Sequence, residues 1–238
     1  MQIRRLVTGL DAEGRAVVVS DGPPPCNHDL VHVTGMGSAL LWATAPEESL
    51  PLDGADPTPR LRSQLPLPGG TSFLIIRFPP DSVYADPAFD AEAAAAEQRL
   101  ASPGITELFE PDNPGMHTTD TVDYTVVLAG EVWLELDDGQ LSHLRAGDTV
   151  VQNGTRHAWR NLGTEPVTLA VVQVGANRPA RLSPPAPRPS SAPPPPAPRA
   201  STRQRANALS SREERSWGRG CPAWFSGCRS GVGCHHPS

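Results

Sequence analysis

Lysine is absent from the 238 residues, and all 20 basic side chains are arginine. That bias fits GC-rich coding and assigns no function. Cysteine is nearly absent from the first three quarters of the chain: Cys26 stands alone before residue 221, which excludes an internal disulfide there and suits a reducing compartment. No run of about 18 apolar residues occurs, so a bilayer-crossing helix is not expected. Met1 to Leu10 carries Arg4 and Arg5 but lacks the apolar centre of a secretion signal. These absences lead to the expectation of a soluble, cytoplasmic protein with no membrane partner.

The charge is distributed unevenly. Residues 1–177 hold ten Arg against 24 Asp plus Glu, a net of −14, whereas 178–238 hold ten Arg against two Glu, a net of +8. The acidic part is long enough to bury a core and lacks the basic stripe that nucleic acid requires. A small neutral or organic ligand is the better expectation. The basic part changes character abruptly: Ser183 to Ala200 is almost wholly Pro, Ser, Ala and Arg, too poor in apolar surface to offset the entropy of ordering. Residues 178–238 are therefore expected to be a disordered tail, with a bias that an out-of-frame reading of GC-rich DNA would also produce. Cys221, Cys228, Cys234, His235 and His236 lie in it at spacings that match no common zinc finger or knuckle.

Within 1–177 the pattern is one of short strands. Arg4–Thr8, Ala16–Ser20, Leu30–Val33, Ala39–Ala43 and Ser72–Phe78 are β-rich runs between Gly, Pro and Asp clusters. Pro51–Gly70 has no apolar period and is expected to be a surface excursion. The alanine-rich stretch within Asp86–Leu100 predicts one short helix, a lid or edge cover. Six further strands follow: Asp123–Ala129, Glu131–Asp137, Leu141–Leu144, Thr149–Gln152, His157–Asn161 and Val167–Gly175. Asp138-Gly139 is expected to make a hairpin turn between two of them. The spacing suits an all-β barrel or jelly roll.

Chemistry-bearing residues concentrate in two segments, His117-Thr-Thr119-Asp-Thr-Val-Asp123 closing at Gly130, and Gly154-Thr-Arg-His157-Ala-Trp-Arg-Asn161. Side chains at i, i+2 and i+6 of an extended strand share a face, so His117, Thr119 and Asp123 can point into one cavity with His157 joining them. Two imidazoles and a carboxylate form a facial metal set, whereas a threonine hydroxyl is a poor ligand. Without metal, His157 and Asp123 remain an acid/base pair. Trp159 shares the parity of His157 and is equally suited to a cavity wall or to core filling. Arg156 and Arg160 fall on the other face, expected to be solvated, although Arg160 is placed to hold a substrate carboxylate at a rim.

The two segments resemble the paired motifs of the cupin superfamily. His117 stands at the first histidine, Thr119 at the second, Asp123 at the glutamate and Gly130 at the closing glycine. Gly147-Asp148, Gly154, His157 and Asn161 supply the second motif, one residue shorter between Gly147 and Gly154 and without its proline. The match is close over residues 110–175, and the stretch His-x-Thr-x-Thr-x-Asp-Tyr is similar to small conserved-barrel (cupin type-2) members.

The resemblance implies a jelly-roll β-barrel spanning 1–177, often homodimeric, with a divalent metal ion (Fe, Mn, Ni or Zn) on His117, Asp123 and His157. Thr119, Trp159 and Arg160 would shape the substrate pocket. The leading expectation is a protein that binds or transforms a small organic metabolite in the barrel, with that metal. Two alternatives stand beside it: a non-catalytic small-molecule binder, and a metal-free acid/base enzyme of the dehydratase, isomerase or decarboxylase type.

Overall fold

A computed structural model describes residues 1–52 and 54–179. The expected tail, apart from Arg178 and Pro179, lies outside the described residues, as do its cysteines and histidines.

Eleven strands and one helix are formed within them. They are β1 (Arg5–Leu10), β2 (Ala16–Gly22), β3 (Cys26–Asp29), β4 (Gly37–Thr44), β5 (Thr71–Phe78), α1 (Ala91–Ala101), β6 (Thr121–Ala129), β7 (Glu131–Glu135), β8 (Leu141–Arg145), β9 (Thr149–Asn153), β10 (Ala158–Arg160) and β11 (Val167–Gly175). β1 and β2 pair as a hairpin, a six-stranded sheet runs β3-β4-β5-β11-β6-β9, and a three-stranded sheet runs β10-β7-β8. Every pairing is antiparallel.

The two larger sheets are joined through a core of Val127 (β6), Val132 (β7), Val167, Leu169 and Val171 (β11), with Leu144 and Trp159 packed on it. Period-2 alternation sets which residues turn inward. On β6 these are Thr121, Asp123, Thr125 and Val127, and on β11 they are Val167, Leu169, Val171 and Gln173. The inner face is thus apolar at one end and polar at the other. The turn between β7 and β8 is built on Asp138 and Gly139, both with positive φ, as an Asp-Gly hairpin requires.

Two expectations about elements need correction. Leu30–Val33 is a loop, while β3 lies just before it. Leu30 and Val33 are buried against Met36 and the helix residues Ala94 and Ala101, and Leu30 N–H bonds Met36 O at 3.0 Å while Met36 N–H bonds Val33 O at 2.9 Å. The apolar run is core, but it is wrapped around the helix instead of extended in the sheet. The helix forms in the expected stretch, capped by Asp90, whose side chain accepts from Ala93 N–H. It serves as an edge cover, and Glu97 pins the loop by accepting from Val31 and His32 N–H at 2.6 and 2.7 Å. Finally, the 51–70 excursion is not purely superficial. Thr58 and Gln64 are buried, and Gln64 bonds the end of the helix through Ala101 O at 2.9 Å.

Gly130 shows how tightly the turn after β6 is made. Its φ is +77°, and a Cβ there would lie 2.7 Å from Pro166 O and 3.0 Å from Val167 Cα, both backbone atoms. Gly139 has a similar φ of +71° and nothing within 4 Å. Gly130→Ala is therefore expected to cost about 2–4 kcal/mol and Gly139→Ala only about 1 kcal/mol, read as denaturant midpoints. Equal losses would mean that strain alone, and not close approach, makes Gly130 necessary.

Candidate functional site

His117 lies just before β6 and His157 just before β10, and the two face each other as an isolated antiparallel bridge. Each N–H donates to the other's carbonyl at 2.9 Å. Residues paired this way project side chains on one side of the ladder, and here the rings sit 4.4 Å apart, centroid to centroid. The two imidazoles are held in the same manner. Nδ1 of His117 meets Gly115 O, and Nδ1 of His157 meets Thr155 O, both at 2.9 Å. A carbonyl only accepts, so each Nδ1 carries the hydrogen and each Nε2 presents a lone pair.

Burial keeps both rings neutral. Desolvation, reinforced by the neighbouring His157, lowers the His117 pKa to about 4, and desolvation lowers that of His157 as well. Two carboxylates oppose this: Asp123 and Glu110 favour the charged form of His117. Phe109 packs edge-on to His117 at 5.3 Å, and Trp159 edge-on to His157 at 6.1 Å.

Asp123 is 5% exposed. Burial raises its pKa, with Thr121, Gln173 and His117 pulling the other way, and its Oδ1 has no partner among the described residues. It stands in a cross-sheet row of buried polar side chains, Gln152 on β9, Asp123 on β6, Gln173 on β11 and Ser72 on β5, each directly opposite the next.

The remaining expected residues sit as follows. Thr119 is buried and accepts from the Thr121 hydroxyl at 2.7 Å. Trp159 contacts His157 edge-on and packs on the Val127 core. Arg160 donates to Glu135 (2.6 Å), Pro114 O (2.7 Å) and Asn113 (2.9 Å), so in this arrangement it ties the 113–114 loop to β7. Arg156 faces partners instead of solvent: it holds Glu110 with two bonds of 2.6 Å and Asp137 with one of 3.0 Å. Asn161 is structural, bonding Glu165 O at 2.8 Å and Phe78 O at 3.3 Å.

Sequence reasoning missed Arg178, one residue past the expected domain end. Its guanidinium donates to Thr119 O and Gly154 O, both at 2.7 Å, and pairs with Asp120, fastening the two motif segments to each other. Gln173 and Gln152 were also missed, although a polar residue at inward parity in an apolar strand was a usable signal. A cavity of about 380 Å³ lies beside the first segment, lined by Leu65, Pro66, Leu108, Thr118, Asp120, Thr121 and Arg178. Its lining does not include the imidazoles.

The expected metal set is brought together only in part. The two imidazoles fit in chemistry, since a ring whose Nδ1–H is held by a carbonyl is the usual form of a metal-bound histidine. Asp123 is not gathered with them: among the described residues no three His, Cys, Asp or Glu side chains form a group able to hold a metal ion. The arrangement therefore does not fit a three-residue metal centre.

No family model matches the chain. Two fungal relatives match short stretches: "Phomopsin biosynthesis cluster protein C'" of Diaporthe leptostromiformis is 54% identical over 46 residues, which is 19% of this chain and 24% of that protein. The "Cupin-domain-containing oxidoreductase virC" of Hypocrea virens is 41% identical over 47 residues, 20% of this chain and 24% of that protein. The matches thus span about a quarter of these relatives. With the antiparallel barrel and the bridged motif histidines in view, the assignment of the fold follows. The domain has the cupin fold. Among solved structures, the cupin domain of Schizosaccharomyces pombe Cnp3 aligns at 10% identity and a TM-score of 0.36, over 74% of this chain and 89% of that one. A Cupin 2 conserved-barrel protein from Salinispora arenicola aligns at 14% and 0.31, over 63% and 87%.

The neutral imidazoles of this cupin barrel set a pH dependence. A histidine in the unfolded chain takes up a proton near pH 6.5, whereas folded His117 waits until about 4, so protons favour the unfolded state in between. The stability contributed is complete above about 6.5 and is lost as pH falls toward about 4. Asp123, shifted the other way, returns part of it at the acid end. Metal-free protein is expected to lose at most about 3 kcal/mol through His117 across that window, and His117→Gln to show a shallower fall in urea midpoints. Identical slopes in the two proteins would contradict the neutral, buried assignment.

Proposed function

We propose that the barrel is a small-molecule site in which the His117–His157 pair, with Asp123, moves a proton on an enolisable carbonyl metabolite. The observation that supports this most is the pair itself: two neutral rings, each with Nδ1 occupied by a carbonyl and Nε2 available as a base. In this reading Nε2 of His157 takes a proton from the carbon next to the substrate carbonyl. The same proton returns to a different atom, giving isomerisation, or to a departing hydroxyl, giving dehydration. The carboxylate of Asp123 favours transient positive charge on the pair, as it does on His117 at rest. The fungal relatives are named for biosynthesis clusters or as an oxidoreductase, which agrees with a role in small-molecule metabolism without naming a substrate.

A metal reading rests on a separate observation. The fixed Nδ1–H tautomers leave two Nε2 donors, and Asp123 Oδ1 is buried without a partner. Here His117 and His157 would hold Fe, Mn, Ni or Zn, which would polarise a bound carbonyl, and Asp123 would have to move toward the two rings to join them as the expected third ligand. Elemental analysis of purified protein and melting with each metal chloride separate the readings. The acid/base reading expects trace metal and no rise in Tm. Stoichiometric metal that is lost in both His117→Ala and His157→Ala would replace it with the metal reading. For either enzyme, a metabolite that stabilises the wild-type protein should be turned over, with at least about 100-fold loss in His157→Ala. Binding without turnover would leave a non-catalytic binder.

The homodimer expected from the resemblance has a suitable surface. Val151, Tyr124, Val172, Phe73 and Trp42 form a cross-strand row on the outer side of the six-stranded sheet, with Val151 58% and Tyr124 51% exposed. An exposed apolar row of this kind supports a contact between two copies. The double variant Tyr124→Lys/Val151→Lys is expected to convert a dimer to a folded monomer by light scattering. A monomeric wild-type protein would remove the proposal.

A further inference from the structure

The buried row Gln152–Asp123–Gln173–Ser72 has satisfied ends, and its middle pair, in which the Gln173 side chain hydrogen-bonds the Asp123 carboxylate, keeps two orphaned acceptor oxygens. At one end, Gln152 Nε2 donates to Thr155 O at 3.2 Å and to the Thr155 hydroxyl. At the other, the Ser72 hydroxyl donates to Gln64 O at 2.6 Å. Between them, Asp123 Oδ1 and Gln173 Oε1 have no partner among the described residues, although both side chains are more than nine-tenths buried and stand directly opposite one another on β6 and β11. Directly opposed residues have Cβ atoms about 5 Å apart, so both oxygens are within reach of one small molecule. Both are acceptors. The Nε2 atoms of His117 and His157 are acceptors too. A buried acceptor without a donor is costly, so the site is complementary to a group that brings O–H or N–H.

Charge narrows the choice. Among the described residues no arginine is buried. The arginines nearest the motif segments are already paired, Arg156 with Glu110 and Asp137, Arg160 with Glu135 and Arg178 with Asp120. A ligand carboxylate would therefore meet Asp123 without a counter-charge, which buried ions do not tolerate. The surrounding Thr119, Thr121 and Thr125 are buried hydroxyl residues on the same inner face, able to donate or accept.

We propose that the barrel takes an uncharged, polyhydroxylated small molecule whose hydroxyl groups donate to Asp123 Oδ1 and Gln173 Oε1, and that it discriminates against carboxylates. This rests on the reading of the barrel as a small-molecule site and deepens it. Within that reading it favours isomerisation or dehydration of a hydroxy-carbonyl compound and disfavours decarboxylation, whose substrate would bring a second carboxylate beside Asp123.

The test uses the full chain and two matched probe sets, uncharged myo-inositol and D-xylose against the carboxylates D-glucuronate and D-xylonate, followed by saturation-transfer NMR up to about 50 mM. The expected result is binding of at least one uncharged probe, at least about tenfold tighter than its carboxylate counterpart. Gln173→Met, close in size but without hydrogen-bonding groups, also removes the Gln173 hydrogen bond to Asp123 and is compared with wild type as folded protein below its own Tm, where it should weaken that binding about tenfold or more. Asp123→Asn supplies a second variant, expected to narrow the gap between the two sets by easing carboxylate entry. Carboxylates that bind as well as the uncharged probes, and lose binding in His117→Ala, would overturn the ligand class while leaving the small-molecule site standing. Uncharged probes that bind Gln173→Met and Asp123→Asn as tightly as wild type would overturn the assigned contacts. Failure of both sets to bind would count against the ligand class and the small-molecule site together.

Discussion

The two-way backbone bridge between His117 and His157 is the constraint on which the site depends. Two hydrogen bonds of 2.9 Å join segments 40 residues apart in the chain, and they decide at once that the imidazoles are neighbours and on the same side. Everything else about the pair follows from short-range geometry. Each ring folds back to the carbonyl two residues earlier, which selects the tautomer. Burial then keeps the rings uncharged. The protein needs no separate element to orient them.

Arginine supplies the outer ties. Arg156 reaches Glu110, Arg160 reaches Glu135 and the 113–114 loop, and Arg178 reaches the carbonyls of Thr119 and Gly154. Together they fasten the segment before β6 to the segment before β10 from the outside, while the bridge fastens it from within. Planar guanidinium groups with several fixed donors suit this work, because one side chain can hold two or three acceptors. The absence of lysine carries no function by itself, but arginine fills the positions where forked contacts are made.

Much of this was readable in the chain. The runs that form β6 to β11 were legible as strands, and Asp138-Gly139 marked its hairpin. The glycine-bounded segments pointed to His117 and His157 and to their partnership. Three things were hidden. Leu30 and Val33 are β-rich and apolar, but their burial is against the helix, and a run of four apolar-rich residues cannot announce its partner. Asp123 shares parity with His117, yet parity assigns a face and not a position. Six extended residues span about 20 Å, so gathering both carboxylate and imidazoles around one ion depends on the path of residues 118–120, which no periodicity describes. Arg178 bonds mainly to backbone carbonyls, and such partners leave no trace in side-chain patterns.

The polar half of the barrel ties these points to function. Its inner face presents acceptors and hydroxyls where an inert barrel would carry aliphatic side chains, and two of those acceptors lack donors among the described residues. The most direct test of the central claim is the protonation and tautomer of the two histidines, measured by 15N NMR of imidazole-labelled protein at neutral pH. The account expects both rings neutral, with a protonated Nδ1 and an unprotonated Nε2, and His117 still neutral at pH 5. Imidazolium signals at neutral pH, or a hydrogen on Nε2 in either ring, would contradict it.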